Sequence, residues 1–417
     1  KYNNTRRIRY YDYSGRDIMS KIYIFGGGTI QHVRPHLCIG APAYGSVAKE
    51  LHKLAKARGL DSELVLTKMA DSSSNMETNE DVYSRVTEIL SDPSPSTIIF
   101  SVAMCDFVGS IAGKHSKHLP RLDSSDWYEL HLETAPKVIS NIRKTRKDIF
   151  LVGFKTTTGD DEDKQFERGL RLIKQTSANL VLANDIHNKR NMIITPEGAR
   201  YNVTTDRDSV ISTLLDMTIE RSELTFTPTN VVEGNLVDWD NVVDHPTLTS
   251  VINHCVDKGA YKAFNGKTPG HYGVLLDDNS MLSSVRKRNY NNIEERAMVK
   301  VHFNNDGTVD AYGAKPSVGT RSQYEVLSRA PSGYNCIIHF HCPMKSTSMI
   351  AVQSQKEFEC GSLECGMNTH NGIQYFDGIG AVMLDKHGPN IIFKSDMSAS
   401  VINKFIDDNF DLTKAIR

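Results

Sequence analysis

Nowhere in the 417 residues does an apolar run approach the roughly 18–20 residues that a bilayer-spanning helix needs, which excludes a helical membrane protein. Net charge is missing too. The 49 Lys+Arg stand against 50 Asp+Glu, a balance of −1, so the chain as a whole has no pull toward nucleic acid or an anionic membrane surface. The first eighteen residues hold no apolar core of a secretory leader, and no internal repeat or low-complexity tract is present. Cysteine is sparse and odd in number: Cys38, Cys105, Cys255, Cys336, Cys342, Cys360 and Cys365. A scattered odd set without an export signal points to reduced thiols in a cytoplasmic setting. Cys360 and Cys365 could be half of a zinc site, but no second pair lies at a matching distance, which favours two small apolar side chains near a turn. What remains is a globular composition, 39% hydrophobic and 24% charged, too long for one ordinary core. Domains of about 100–200 residues predict two units, or three.

The segment before Met19 is basic and aromatic (Arg6, Arg7, Arg9, then Tyr10, Tyr11, Tyr13) and reads as a flexible extension, 1–18. From Lys21 apolar runs alternate with helical spacing. KIYIF (21–25), ELVLT (63–67), STIIFSVAM (96–104), IFLVGF (149–154) and NLVLAN (179–184) read as strands. Between them SVAKELHKLAKARG, VYSRVTEIL, APKVISNIRKT and FERGLRLIKQT read as helices, and SVISTLLDMTIERSEL (209–224) as a closing helix. Strands alternating with helices of about ten residues predict βαβ units and a parallel sheet, a Rossmann-like α/β domain over 19–224. Residues 225–245 lose periodicity and carry Pro228 and Gly234, which predicts a linker before a second α/β domain over 246–417.

A glycine triplet after a strand can bring backbone N–H groups to a phosphate, or can simply make a tight turn. Here GGGTIQHVRP is followed in order by SVAMCDF, FLVGFKTTT and NLVLANDI, each at a strand's carboxyl end, where open α/β sheets bind ligands. This ordered series resembles the phosphopantothenate–cysteine ligase family (phosphopantothenoylcysteine synthetase) over roughly Lys21 to Leu224. The resemblance implies a pocket for CTP or ATP formed by Gly27, Gly28, Thr29, Arg34, Ala103, Asp106, Gly153, Phe154, Lys155, Asn184 and Asp185. Read from the residues alone, Asp106 is a cap and Phe154 a core aromatic. Three positions depart from the family. Cys38 stands where the family has the Asn that holds the acyl intermediate, and Arg121 where it has a Lys, with the same charge but different geometry. Thr157 replaces an acidic residue.

The second half carries CIIHFHCP. Residues two apart on a strand face the same way, so His339 and His341 can point at one ion, and His387 in AVMLDKHGP supplies a third imidazole at the end of another apolar run. Three neutral imidazoles around Zn²⁺ leave a position open for a substrate oxygen. The alternative for any one of them is a satisfied polar residue on a strand. From about Pro246 onward the chain also resembles the class II aldolase/adducin family: TPGHYGVLL in place of a G-N-x-S turn, then KPS, HFH and KHG. The resemblance implies a divalent metal, usually zinc, on the three histidines, and a sugar-phosphate substrate held by Gly270, His271 and Gly273 in one turn and by Pro316 and Ser317 in another. It also implies, as does the first, a homo-oligomer. Gly319 stands where this family has its catalytic Glu, and Gln323 where it has a His. Glu325 is the nearest carboxylate that could serve as general base, with a solvent-facing role equally open, and Glu357, Glu359 and Glu364 are further candidates.

Together these readings predict a two-domain enzyme acting on a small phosphorylated metabolite, with a nucleotide site in the first half and lyase, epimerase or dehydratase chemistry at a metal in the second. Two alternatives stand beside it: a binding or structural protein with both sites decayed, and an active ligase in which Cys38 and Arg121 are working variants.

Overall fold

The computed structural model of the chain describes residues 20–416 apart from positions 95, 243 and 278. The segment 1–18, expected as a flexible extension, lies outside the described residues. The chain divides into two units, the second beginning at Glu223 and also taking in the short stretch Glu197–Ala199.

The first unit begins with β1 (Lys21–Gly26), β2 (Ile30–Arg34), β3 (Leu37–Gly40), α1 (Ser46–Ala57), β4 (Ser62–Leu66), α2 (Asn79–Ser91) and β5 (Ser96–Phe100). It continues through β6 (Phe107–Ser110), β7 (His131–Thr134), α3 (Ile139–Thr145), β8 (Phe150–Thr157) and α4 (Glu162–Thr176). It ends with β9 (Leu180–Asp185), β10 (Asn191–Ile194), β11 (Arg200–Thr204) and α5 (Arg207–Ser222). Seven strands form one sheet in the order β11-β10-β9-β8-β5-β1-β4. β4, β1, β5, β8 and β9 are parallel neighbours, so a helix has to carry the chain back between successive strands. Ile24, Ile98, Ile99, Val152 and Val181 are fully buried, as strands covered on both faces require. β10 and β11 close one edge antiparallel.

The second unit runs through β12 (Thr229–Val232), α6 (Pro246–Asp257), β13 (His271–Asp277), β14 (Ser280–Ser284), β15 (Met298–Phe303) and β16 (Val309–Tyr312). Next come α7 (Thr320–Arg329), β17 (Cys336–His339), β18 (Val352–Gln353) and α8 (Leu363–Gly372). The last elements are β19 (Gln374–Phe376), β20 (Ile379–Leu384), β21 (Gly388–Phe393) and α9 (Ala399–Asn409). Its sheet follows the order β12-β16-β15-β14-β13-β17-β21-β20-β18, with β19 beside β20. Pairing is antiparallel except for β12 with β16 and β18 with β20. Both units combine helices with a sheet, mostly parallel in the first and mostly antiparallel in the second.

Residues 225–245, expected to be a linker, are instead built into the second unit. β12 pairs with β16, Val237 bridges Met298, and the Trp239 ring packs edge-on against Tyr272 at 5.6 Å between centroids. An edge strand of four residues is too short to show a period, which is why the segment reads as irregular.

The alternation along β17 decides where the candidate site lies. Cys336 and Ile338, with Phe340 beyond, pack into a core with Val251 and Ile252 of α6 and Ile402 and Ile406 of α9. Ile337 packs on the opposite side with Val326 and Leu327 of α7. A period of two therefore places His339 on the α7 side of the sheet.

Candidate metal centre and candidate nucleotide edge

His339 ends β17, His341 follows two residues later, and His387 sits in the turn between β20 and β21. One ring nitrogen from each lies within 4.8 Å of the others, and this is the one such cluster of His, Cys, Asp and Glu among the described residues. His339 and His387 approach Nε2 to Nε2 at 3.2 Å. Zinc–nitrogen bonds of about 2.0–2.1 Å in a tetrahedron separate ligand nitrogens by roughly 3.3 Å, so this spacing fits such an ion. The Nδ1–H of His339 donates to the Pro389 carbonyl at 2.7 Å, which fixes the tautomer with a lone pair on Nε2. Burial pushes the His339 pKa down to about 4, so the ring is neutral, the form that binds a metal. Gly388 makes the turn possible: its φ is 142°, and a β-carbon there would overlap the Phe340 carbonyl. The three imidazoles could hold a metal ion.

His271 stands directly across from His339 in the antiparallel pairing of β13 with β17. The two rings lie 4.7 Å apart, tilted by 30°. Gln323 holds the His271 Nδ1, and a β-carbon at Gly319 would overlap its Nε2. Burial, together with His339 and His341, keeps the His271 pKa well below its ordinary value. His271 and Gly273 were expected in a phosphate-binding turn, yet β13 begins at His271 and both are buried inside the strand. Gly270 (φ 102°) lets the chain pass the His339 carbonyl at close range. Ser317 is half-buried, and its N–H donates to the Ser284 carbonyl at 2.8 Å.

Glu325, the expected general base, is not in the histidine cluster. It is buried on α7 with its carboxylate in ion pairs to Arg321 (2.6 Å) and Arg329 (3.1 Å). Glu364 accepts from the N–H and hydroxyl of Thr225, and Glu357 accepts from Ser354. Sequence reasoning missed Gln323 as a partner of His271 and the Pro389 carbonyl as the anchor of His339. Both pairings depend on strand register, which the sequence does not display.

In the first unit the carboxyl ends of β1, β5, β8 and β9 share one edge, because these strands are neighbours. Gly28 bridges Ala103, and Thr156 stands opposite Asn184. The glycine triplet is filled by the protein itself: β-carbons at Gly26, Gly27 and Gly28 would overlap Ala48, Thr67 and the Ala41 carbonyl. Thr29 donates to Asn79 (2.6 Å) and accepts from the Cys105 N–H (2.8 Å). Arg34 is buried, donating to the carbonyls of Val33 (2.6 Å) and Lys114 (2.8 Å). Gly153 lies inside β8, where a β-carbon would press on Ile139 and Val181. Burial opposes a charge on Asp185, but hydrogen bonds from Asn188, Thr157, Gly159 and Asp160 outweigh it and hold the carboxyl far below the usual carboxylate range. Gly27, Gly28, Thr29, Arg34, Gly153 and Asp185 thus have partners within the protein. Phe154, Lys155 and Asn184 are half-buried at the edge, and Asp106 is exposed, paired with Lys137. Cys38 and Arg121 are exposed, Cys38 lying on β3 opposite His32.

No protein-family model matches the chain. Among curated proteins, the coenzyme A biosynthesis bifunctional protein CoaBC of Thermococcus kodakarensis is 23% identical over 171 residues, 40% of this chain and 41% of that protein. The protein of the same name from Methanocaldococcus jannaschii is 24% identical over 173 residues, with the same shares. The chain therefore spans about 41% of the length of the curated relatives it matches. Among solved structures, the DNA/pantothenate metabolism flavoprotein from Streptococcus pneumoniae has a TM-score of 0.41 at 20% identity, covering 48% of this chain and 97% of that one. An L-fuculose 1-phosphate aldolase has a TM-score of 0.29 at 16% identity, covering 39% and 82%.

Proposed function

We propose that the chain is a two-domain metabolic enzyme with a nucleotide-binding, ligase-like first unit. Its second unit uses a divalent metal, zinc by preference, in lyase, epimerase or dehydratase chemistry on a small phosphorylated substrate. One observation supports this reading: three imidazoles from two distant stretches of the chain converge, their ring nitrogens within 4.8 Å of one another and those of His339 and His387 3.2 Å apart. His339, His341 and His387 would hold the metal. When bound, such an ion acts as a Lewis acid on a carbonyl or hydroxyl oxygen. The chain's own contribution is placement. The Pro389 carbonyl orients His339, the sheet face carries His271 beside it, and Ser317 flanks the loop after β16. For the first unit, the reading is supported by the similarity to the CoaBC proteins and by the open strand edge bearing Lys155, Asn184 and Asp106.

A second reading, a binding protein without catalysis, is favoured by Glu325 lying between two arginines and Gly319 offering no side chain. Metal analysis of the purified protein separates the two. Stoichiometric zinc, lost in the His339→Ala/His341→Ala variant while its circular dichroism is unchanged, supports the enzyme. A native protein that neither contains nor takes up a divalent metal sinks it.

A further inference from the structure

We propose that Asn390 is a ligand-binding residue of this centre, its buried amide taking a hydroxyl or carbonyl oxygen of the molecule that docks at the histidines. The proposal rests on the metal reading above and narrows it. The ligand has two oxygens on neighbouring atoms, one for the ion and one for the amide. Three observations support this role. Asn390 stands opposite His339 in the antiparallel pairing of β17 with β21, so the two side chains leave the sheet on the same face. It is 5% exposed, and its side-chain amide makes no hydrogen bond among the described residues. With His387 it lines a cavity of about 10 Å³, to which α7 contributes Ser322 and α8 contributes Thr369. That volume is about what one oxygen-sized group needs.

A buried amide has two donors and an acceptor, and leaving them unmade costs stability. The two hydroxyls at the cavity are already committed. Ser322 donates to the Ser362 carbonyl at 3.0 Å and accepts from the Gly361 N–H at 3.0 Å. Thr369 donates to the Cys365 carbonyl at 2.8 Å. Asn390 has no such outlet. An uncharged amide donates to a carbonyl or accepts from a hydroxyl, so it suits a neutral oxygen and makes no claim on an ionised group. A ligand held by the ion and by Asn390 together is selected by the spacing of its two oxygens. Asn390 is therefore a binding residue for that ligand and stands outside the metal-holding set.

The test uses the full-length protein loaded with Co²⁺ and read from the visible absorption of the ion. Two probes are compared: azide, which fills a single coordination position, and acetohydroxamate, which offers two oxygens on adjacent atoms. Asn390→Leu removes the amide and keeps its branched outline, whereas Asn390→Ala removes it and leaves extra room. The expected result is full Co²⁺ stoichiometry and native azide affinity in both variants. Acetohydroxamate affinity should fall about tenfold in both, the loss of a hydrogen bond. Unchanged acetohydroxamate affinity in variants that bind Co²⁺ normally overturns the proposal and leaves the metal reading standing. An equal loss for azide overturns it as well, since Asn390 would then act through the ion's own ligands. A loss confined to Asn390→Leu traces to crowding and has the same consequence. Failure of the unaltered protein to bind Co²⁺ defeats both readings.

Discussion

A single glycine sets the terms at the candidate centre. Gly319 has φ −73° and ψ −4°, a conformation that any residue adopts, so the backbone does not require glycine there. What excludes a side chain is the His271 ring, whose Nε2 occupies the place of a β-carbon. Gly319→Ala is accordingly a purely steric insult, expected to cost about 1–3 kcal/mol as overpacking. In a His271→Ala background the same change should cost far less, and equilibrium denaturation of the four proteins measures that coupling. Additive effects would mean the two positions do not touch. The residues of the centre were unequally legible in the sequence. His339 and His341 announce themselves because a strand's period is two, and His387 because it closes an apolar run ahead of a glycine. His271 reads as part of a turn, since only the register between β13 and β17 shows that it faces His339. Arg34 and Asp185 look like ligand contacts for a similar reason. Their hydrogen-bonding partners, Lys114 for one and Thr157 for the other, come from distant stretches of chain.

Among the elements, the five parallel strands of the first unit are plain in the sequence because burial on both faces demands continuous apolar runs. The elements that escape are short. β10 has four residues and β11 five, and β16 has four, too few for a periodicity to register. β12 escapes for the same reason, and with it the role of residues 225–245. Trp239 anchors that stretch: it is 7% exposed, packs on Tyr272 and donates from Nε1 to Asn253 at 3.3 Å. Truncation of a buried Trp costs roughly 3–5 kcal/mol in a folded core. Trp239→Ala should destabilise the second unit by that order in urea unfolding, whereas the same change in a true linker would leave stability within about half a kcal/mol.

For the whole molecule, the two tryptophans offer separate views of the two units. Trp127 is 82% exposed in the first unit, and Trp239 is buried in the second. With Trp127→Phe, the remaining fluorescence reports on the unit that carries the three histidines. A ligand that binds only the native state stabilises it by about 2.7 kcal/mol at a hundred times its dissociation constant. Zinc at that level should raise the unfolding midpoint seen by Trp239 by the corresponding amount, and His339→Ala/His341→Ala should abolish the rise. A zinc effect that survives the double substitution would locate the ion elsewhere.

The pairing of β12 with β16 also dictates where the polypeptide can be cut. A fragment opening at Pro246, the boundary that composition alone suggests, would leave β16 with a bare row of backbone donors and acceptors and would remove an aromatic anchor from beneath α6. Exposed rims of that kind recruit other chains. Scissors placed just upstream of Glu223 keep the sheet's outermost strand with the sheet it completes.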